Sequence, residues 1–200
     1  MFPELPGVVA ELLQRGWSQR KVLEQEDLEL ISGYVDHHRT GFREALVGQK
    51  QSKVREESLR GDLTLWLDPL AMPRELAKIS ELLESLRASL NEFLFLGLKD
   101  YQCHLALYPV GKFYVKHSDR HQASSSRVVS FVFYLHRSWS ADDGGELILY
   151  DSKGGVIESI PPAPGTFVCF LSEDFPHEVR PAKKERVSLT GWIHNKELHL

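Results

Sequence analysis

Two cysteines in 200 residues, Cys103 and Cys169, are too few for a disulfide scaffold, and neither has a paired-ligand spacing such as Cys-x-x-Cys. Each lies in an apolar, strand-like run, so both are expected as buried thiols of a protein in a reducing compartment. Long hydrophobic runs are missing too. Phe93-Leu94-Phe95-Leu96 and Phe131-Val132-Phe133-Tyr134-Leu135 fall far short of the ~20 residues that cross a bilayer, so no membrane partner is expected. The opening MFPELPGVVAELLQRG has Glu4 where an export signal carries positive charge, and Pro3 and Pro6 interrupt its apolar stretch. A cytoplasmic location follows as an expectation. Nor is there an excess of positive charge: 24 basic against 28 acidic residues leave a net charge of −4, which provides no field for phosphate backbone and argues against a nucleic-acid partner. The nucleotide, zinc-protease and serine-hydrolase patterns GxxxxGK[ST], HExxH and GxSxG do not occur.

What is present suits one folded domain over 1–200, since 42% hydrophobic and 26% charged residues match neither a disordered segment nor a membrane protein. The first half carries helical periodicity. Residues 4–15 and 25–38 space apolar positions three and four apart, and Pro73 opens PRELAKISELLESLRASLNEFL, with Leu76, Ile79, Leu83, Leu86, Leu90 and Phe93 or Leu94 on one side. From about residue 101 the pattern changes to short β-rich runs: YQCHLALY, FYVKH, VVSFVFYL, ELILY, VIESI, TFVCFL and RVSLTGWIH. Gly144-Gly145 and Gly154-Gly155 suit hairpin turns. The expected class is therefore α+β: a helical part over 1–100, then an antiparallel sandwich or jelly roll over about 101–195, with the helices against one sheet.

Nine histidines are too many to be informative singly. His117-Ser118-Asp119 stands out because residues two apart on an extended segment project to the same side and can converge on one cation. His177 follows the bend at Asp174-Phe175-Pro176. Two imidazoles and one carboxylate from distant strands form the facial triad of non-haem iron(II) oxygenases, which leaves metal positions open. Arg186 lies nine residues beyond. In RVSLTGWIH, strand alternation puts Arg186, Ser188, Thr190 and Trp192 on one face and Val187, Leu189 and Ile193 on the other. An arginine aligned with hydroxyl residues suits a pocket for a small dicarboxylate, which guanidinium binds bidentately.

These residues resemble the 2-oxoglutarate- and iron(II)-dependent dioxygenases, and among them the prolyl 4-hydroxylases of the hypoxia-sensing type and their compact bacterial relatives. The likeness spans roughly residues 55–195. It is carried by RGD at 60–62 with Trp66, LYP at 107–109, YVKHSD at 114–119, FVFYLHRSW at 131–139, GGEL at 144–147, FPHEVRPA at 175–182 and RVSLTGW at 186–192. The resemblance implies a double-stranded β-helix in which His117, Asp119 and His177 bind Fe(II) and Arg186 holds the far carboxylate of 2-oxoglutarate. It further implies that Tyr134 bonds that carboxylate, that Tyr108 lies near the metal-side end of the cosubstrate, and that Leu147, Thr190 and Trp192 wall the pocket. Tyr114, Arg127 and Trp192 would line the substrate entrance, Asp62 would pair with Arg127, and the loop Ser118 to Ser126 would cover the substrate.

The implied activity is hydroxylation of a proline in a protein, with a translation elongation factor as one candidate, using O2 and releasing succinate and CO2, with ascorbate as a reductant. An oxygen-sensing role belongs to the same implication. The zinc finger and long C-terminal helix of the large animal enzymes have no counterpart, which favours the bacterial type. Two alternatives stay open: an oxygenase of a free amino acid or another side chain, and a sensor that holds iron and 2-oxoglutarate without turnover. Of the remaining candidates, RGD reads as a structural aspartate rather than an adhesion signal. His37, His38, His104, His121, His136, His194 and His199 read as surface or structural histidines, and Trp17, Trp66 and Trp139 as core or interface aromatics.

Overall fold

The computed structural model describes residues 2–45, 59–120 and 126–198. Helix α1 (Leu5–Arg15) has proline in its first turn and ends at Gly16, whose left-handed backbone lets its N–H donate to the Leu12 carbonyl. It buries Leu5, Val8, Val9 and Leu12, the stripe its spacing predicts. Strand β1 (Trp17–Lys21) follows, then helix α2 (Gln25–His37), which opens on a reciprocal cap between Glu24 and Asp27 and buries Leu28, Ile31 and Val35. Strands β2 (Arg43–Glu44) and β3 (Leu63–Leu67) precede helix α3 (Ala77–Leu94). The expected start at Pro73 is corrected by one turn: Pro73 is extended and its carbonyl closes a tight 3₁₀ turn over Arg74–Leu76, after which the α-helix begins. Of the two residues left open at the far end, Leu94 packs on the core and Phe93 is exposed.

The remaining strands are β4 (Asp100–Tyr108), β5 (Tyr114–His117), β6 (Arg127–Tyr134), β7 (Leu147–Tyr150), β8 (Val156–Ile160), β9 (Thr166–Leu171), β10 (His177–Val179) and β11 (Arg186–His194). They form a seven-stranded sheet in the order β1-β9-β6-β11-β4-β3-β2 and a four-stranded sheet in the order β5-β10-β7-β8, with antiparallel pairings throughout. One core lies between the helices and the larger sheet, where Leu189 and Ile193 of β11 join residues of all three helices. A second lies between the sheets and includes Ala106, Tyr108, Val132, Tyr134, Leu147, Leu149 and Val168. This is a double-stranded β-helix with helices on one face, as the sequence leads one to expect.

The first hundred residues are not helical throughout. β1, β2 and β3 extend the larger sheet at its two edges, so the division into a helical part and a β part at residue 100 is too sharp. The Gly-Gly pairs also differ in use. Gly154 turns β7 into β8 with positive φ, whereas Gly144 and Gly145 belong to the longer connection that enters β7. Among the described residues, no helix is long and apolar enough to cross a membrane.

Glycine is obligatory in the middle of β11. A Cβ on Gly191 would stand 2.1 Å from the Gln102 carbonyl oxygen and 2.9 Å from the Cys103 Cα, both on the backbone of β4. Gly191→Ala is expected to destabilise the protein by about 3 kcal/mol or more, because strand must move against strand. A urea midpoint equal to that of the wild type would contradict this.

Candidate active site

The β5 edge of the smaller sheet brings the expected triad together. β5 and β10 pair with His117 opposite His177, so the two imidazoles are cross-strand neighbours with ring centroids 4.3 Å apart. Asp119, two residues past His117, reaches both: its Oδ1 lies 3.7 Å from His117 Nε2 and its Oδ2 3.5 Å from His177 Nε2. One ligand atom from each residue lies within 4.8 Å of the others, a cluster able to hold a metal ion.

The ring orientations suit that use. His117 Nδ1 lies 2.8 Å from the Val115 carbonyl and His177 Nδ1 lies 3.0 Å from the Phe175 carbonyl, the same contact two residues back in each case. A carbonyl only accepts, so each Nδ1 carries the proton and each Nε2 turns its lone pair inward. Burial and the neighbouring His177 push His117 down to about 3, which leaves its ring neutral. Burial acts to raise the Asp119 carboxyl, yet the two histidines, the Ser130 hydroxyl and the Trp192 indole together hold it below its ordinary value. Ser130 donates to Asp119 Oδ2 at 2.7 Å and is itself bonded to Ser172 at 2.8 Å. This serine relay was not singled out in the sequence; its signal is a polar residue at an inward position of the apolar run VVSFVF.

The expected cosubstrate residues converge farther into the barrel. Arg186 is 3% exposed and lies opposite Tyr108 in the ladder, its guanidinium carbon 4.7 Å from the Tyr108 ring centroid and 5.4 Å from that of Tyr134. Arg186 Nε and Nη1 and the Tyr134 hydroxyl have no hydrogen-bond partner. Leu147 shares the inter-sheet core with both tyrosines, and Thr190 lies on the same face of β11, donating to the Phe131 carbonyl at 2.9 Å. Burial raises both phenols, that of Tyr134 to about 12, so they remain protonated donors. A buried guanidinium beside an unpaired phenol is costly unless an anion joins them. A dicarboxylate supplies that anion with geometry matched to the fork, and the donor set therefore fits 2-oxoglutarate.

Among the residues expected to line a substrate entrance, the arrangement differs from expectation in one pairing. Asp62 is buried and bonds Arg60, with contacts of 2.7 Å to Nε and 2.5 Å to Nη2, rather than Arg127. Arg60 is two residues away and its fork meets the carboxylate directly, while its carbon sits 4.4 Å over the Tyr114 ring. Arg127 instead stacks on Trp192 at 3.6 Å and reaches the Asp119 carbonyl at 3.4 Å. Tyr114 lies flat on His117, with centroids 3.7 Å apart. The Asp62 of RGD thus forms a buried ion pair with the arginine of the same motif. Residues 121–125 of the expected covering loop, including His121, lie outside the described residues, as do His199 and residues 55–58 at the start of the matched region.

Three histidines away from the metal ligands bear on stability. Burial pushes His104, His136 and His194 each down to about 4. The unfolded chain takes up protons below about pH 6.5 that the folded protein refuses. Their contribution is therefore fully present above about 6.5 and is lost as pH falls towards 4, with a slope of up to about 1.4 kcal/mol per pH unit per group. Urea midpoints should be lower at pH 5 than at pH 7.5, and equal midpoints would contradict the reading.

An antiparallel double-stranded β-helix that holds a His-x-Asp…His cluster and a buried arginine with unpartnered Nε and Nη1 defines the class of facial-triad oxygenases. Residues 103–194 match the family described as the 2OG-Fe(II) oxygenase superfamily. A crystal structure of a Pseudomonas putida prolyl-4-hydroxylase superposes with a TM-score of 0.85 at 35% identity, covering 96% of this chain and all of that one. A Trichoplax adhaerens prolyl hydroxylase, in complex with a hypoxia inducible factor oxygen degradation domain peptide fragment, gives 0.83 at 25% identity over 96% of this chain and 89% of the other. Human Egl nine homolog 1 is 27% identical over 155 residues, 74% of this chain but 35% of its own length, so the chain spans about a third of that relative. The chain belongs to the 2OG-Fe(II) oxygenase superfamily, whose members use Fe(II) and 2-oxoglutarate.

Proposed function

We propose that the protein is an iron(II)- and 2-oxoglutarate-dependent prolyl 4-hydroxylase acting on a proline of a protein substrate. The observation that carries the reading is the buried Arg186, with Nε and Nη1 unpartnered beside the free Tyr134 hydroxyl, in the same barrel as the His117, Asp119 and His177 cluster. Support for a peptide substrate comes from the Pseudomonas and Trichoplax relatives, the second of them bound to a peptide.

His117, Asp119 and His177 are the residues that would hold iron, and Arg186 and Tyr134 those that would hold the far carboxylate of 2-oxoglutarate. When bound, the pair supplies O2-dependent oxidative decarboxylation to succinate and CO2 coupled to insertion of one oxygen atom into a C–H bond. The chain's own part is to fix geometry and exclude water. Two backbone carbonyls set the imidazole tautomers, Ser130 and Trp192 steady the carboxylate, Tyr108 and Leu147 belong to the apolar core beside Arg186, and Thr190 is held by its bond to the Phe131 carbonyl. Tyr114 and the Arg127–Trp192 stack border the triad on the side where a peptide would approach. Two free, buried thiols suit a reducing cytoplasm. An elongation-factor target and an oxygen-sensing role remain part of this proposal.

The test is incubation with iron(II), 2-oxoglutarate, ascorbate and a library of proline-containing peptides, read by mass spectrometry. A gain of one oxygen on proline, dependent on 2-oxoglutarate, is the expected result. Oxygen gained only by free amino acids, or succinate formed with no oxygenated product, would overturn it.

A further inference from the structure

Of the three residues that would hold iron, the two histidines are fixed by the backbone. His117 and His177 are paired across β5 and β10, and each ring is held by a carbonyl two residues back. Asp119 lies instead in a bend just past the end of β5, outside the ladder, so the orientation of its carboxylate depends on side-chain bonds. Ser130 of β6 supplies one of them, donating to Oδ2 at 2.7 Å, and is itself bonded at 2.8 Å to Ser172, which is fully buried just past the end of β9. A carboxylate that serves as a metal ligand only accepts. The single proton of Ser130 therefore points to Asp119, and its oxygen accepts the single proton of Ser172. A hydroxyl that accepts in this way is a stronger donor in turn.

The backbone holds Ser172 where this relay needs it. Its N–H bonds the Val128 carbonyl of β6, and strand alternation puts its side chain on the face of Val168 and Phe170, between the sheets, as it puts Ser130 on the face of Val132. As plain core the two serines could be apolar at little cost, whereas a donor chain that ends on a carboxylate needs both hydroxyls. From Ser172 the chain runs to Phe175, whose carbonyl sets the His177 ring, and into β10. The relay thus joins the segment that delivers His177 to the carboxylate of Asp119, and ties both to the larger sheet. The ion pair of Arg120 with Glu173 spans the same two segments, but Glu173 is exposed and the pair is screened by water.

Resting on the metal-site reading above, we infer that Ser172 is a positioning residue for the metal, acting through Ser130 to fix the Asp119 carboxylate in its ligating orientation. The probe is Co(II) alone, titrated without oxygen into the metal-free protein and followed by its visible absorption. Ser172→Ala should weaken Co(II) binding about fivefold, the effect of one net hydrogen bond. In Ser130→Ala protein the same change should cost less than about twofold, because the relay is already broken there. Ser172→Thr, which keeps the hydroxyl, should recover most of the loss, and Glu173→Gln should stay within about twofold of the wild type. Unchanged affinity in Ser172→Ala, a fivefold loss that persists in the Ser130→Ala background, a Glu173→Gln loss as large as that of Ser172→Ala, or a Ser172→Thr protein with the wild-type urea midpoint that binds as weakly as Ser172→Ala would overturn the inference. A wild type that binds no Co(II) would overturn the metal site itself, on the wild type alone, and this inference with it.

Discussion

Arg186→Ala is expected to abolish 2-oxoglutarate binding while leaving the unliganded protein as stable as the wild type or more so. The two effects have one cause. The guanidinium is buried with Nε and Nη1 unpartnered, so without an anion the fold carries an uncompensated charge that alanine removes. With the anion present, a buried and charge-assisted pair is lost, which costs about 2–5 kcal/mol, or roughly 30- to several thousand-fold in affinity. Ligand that binds only the folded state raises the thermal midpoint, so 2-oxoglutarate with a metal should stabilise the wild type and not the variant. Arg186→Lys should recover little, because an ammonium cannot present the parallel pair of N–H donors. Thermal shift with and without 2-oxoglutarate checks all of this. A variant stabilised as much as the wild type would place the dicarboxylate elsewhere.

His177→Ala is expected to reduce turnover by more than about 100-fold, beyond the 10–100-fold that loss of an outer partner of a metal ligand costs. His177 is paired across the ladder with His117, and its Nε2 faces Asp119 Oδ2 at 3.5 Å, so no neighbouring side chain among the described residues replaces it. Ser130→Ala is the graded control. It removes the 2.7 Å bond that orients Asp119 but no ligand, and should fall in that smaller range. Iron content after dialysis and succinate release measure both. Equal losses in the two variants would mean that the site fails through misfolding rather than through ligand removal.

The sequence made the triad legible through the His117-x-Asp119 spacing together with His177, Arg186 and the family resemblance, although Asp119 lies in a bend just past the end of β5; β11 alternates so regularly that Arg186, Ser188, Thr190 and Trp192 fall on one face. Long-range pairing was not legible. That His177 sits opposite His117 follows from ladder register, which no local pattern states. Strand β1 was missed for a related reason: WSQRK has one large apolar residue and takes its extended form from pairing with β9. The misassigned partner of Asp62 is a competition between two arginines. Resemblance pointed to Arg127, but Arg60 is two residues away on the same chain and Arg127 finds an aromatic face on Trp192.

The most direct test of the central claim is anaerobic addition of iron(II) and 2-oxoglutarate to the wild type and to Arg186→Ala, watched in the visible range for the weak charge-transfer band of a metal-chelated 2-oxo acid. The account predicts a saturable band in the wild type that is lost or strongly weakened in the variant. No band in folded, iron-loaded wild-type protein, or an undiminished band in Arg186→Ala, would contradict it.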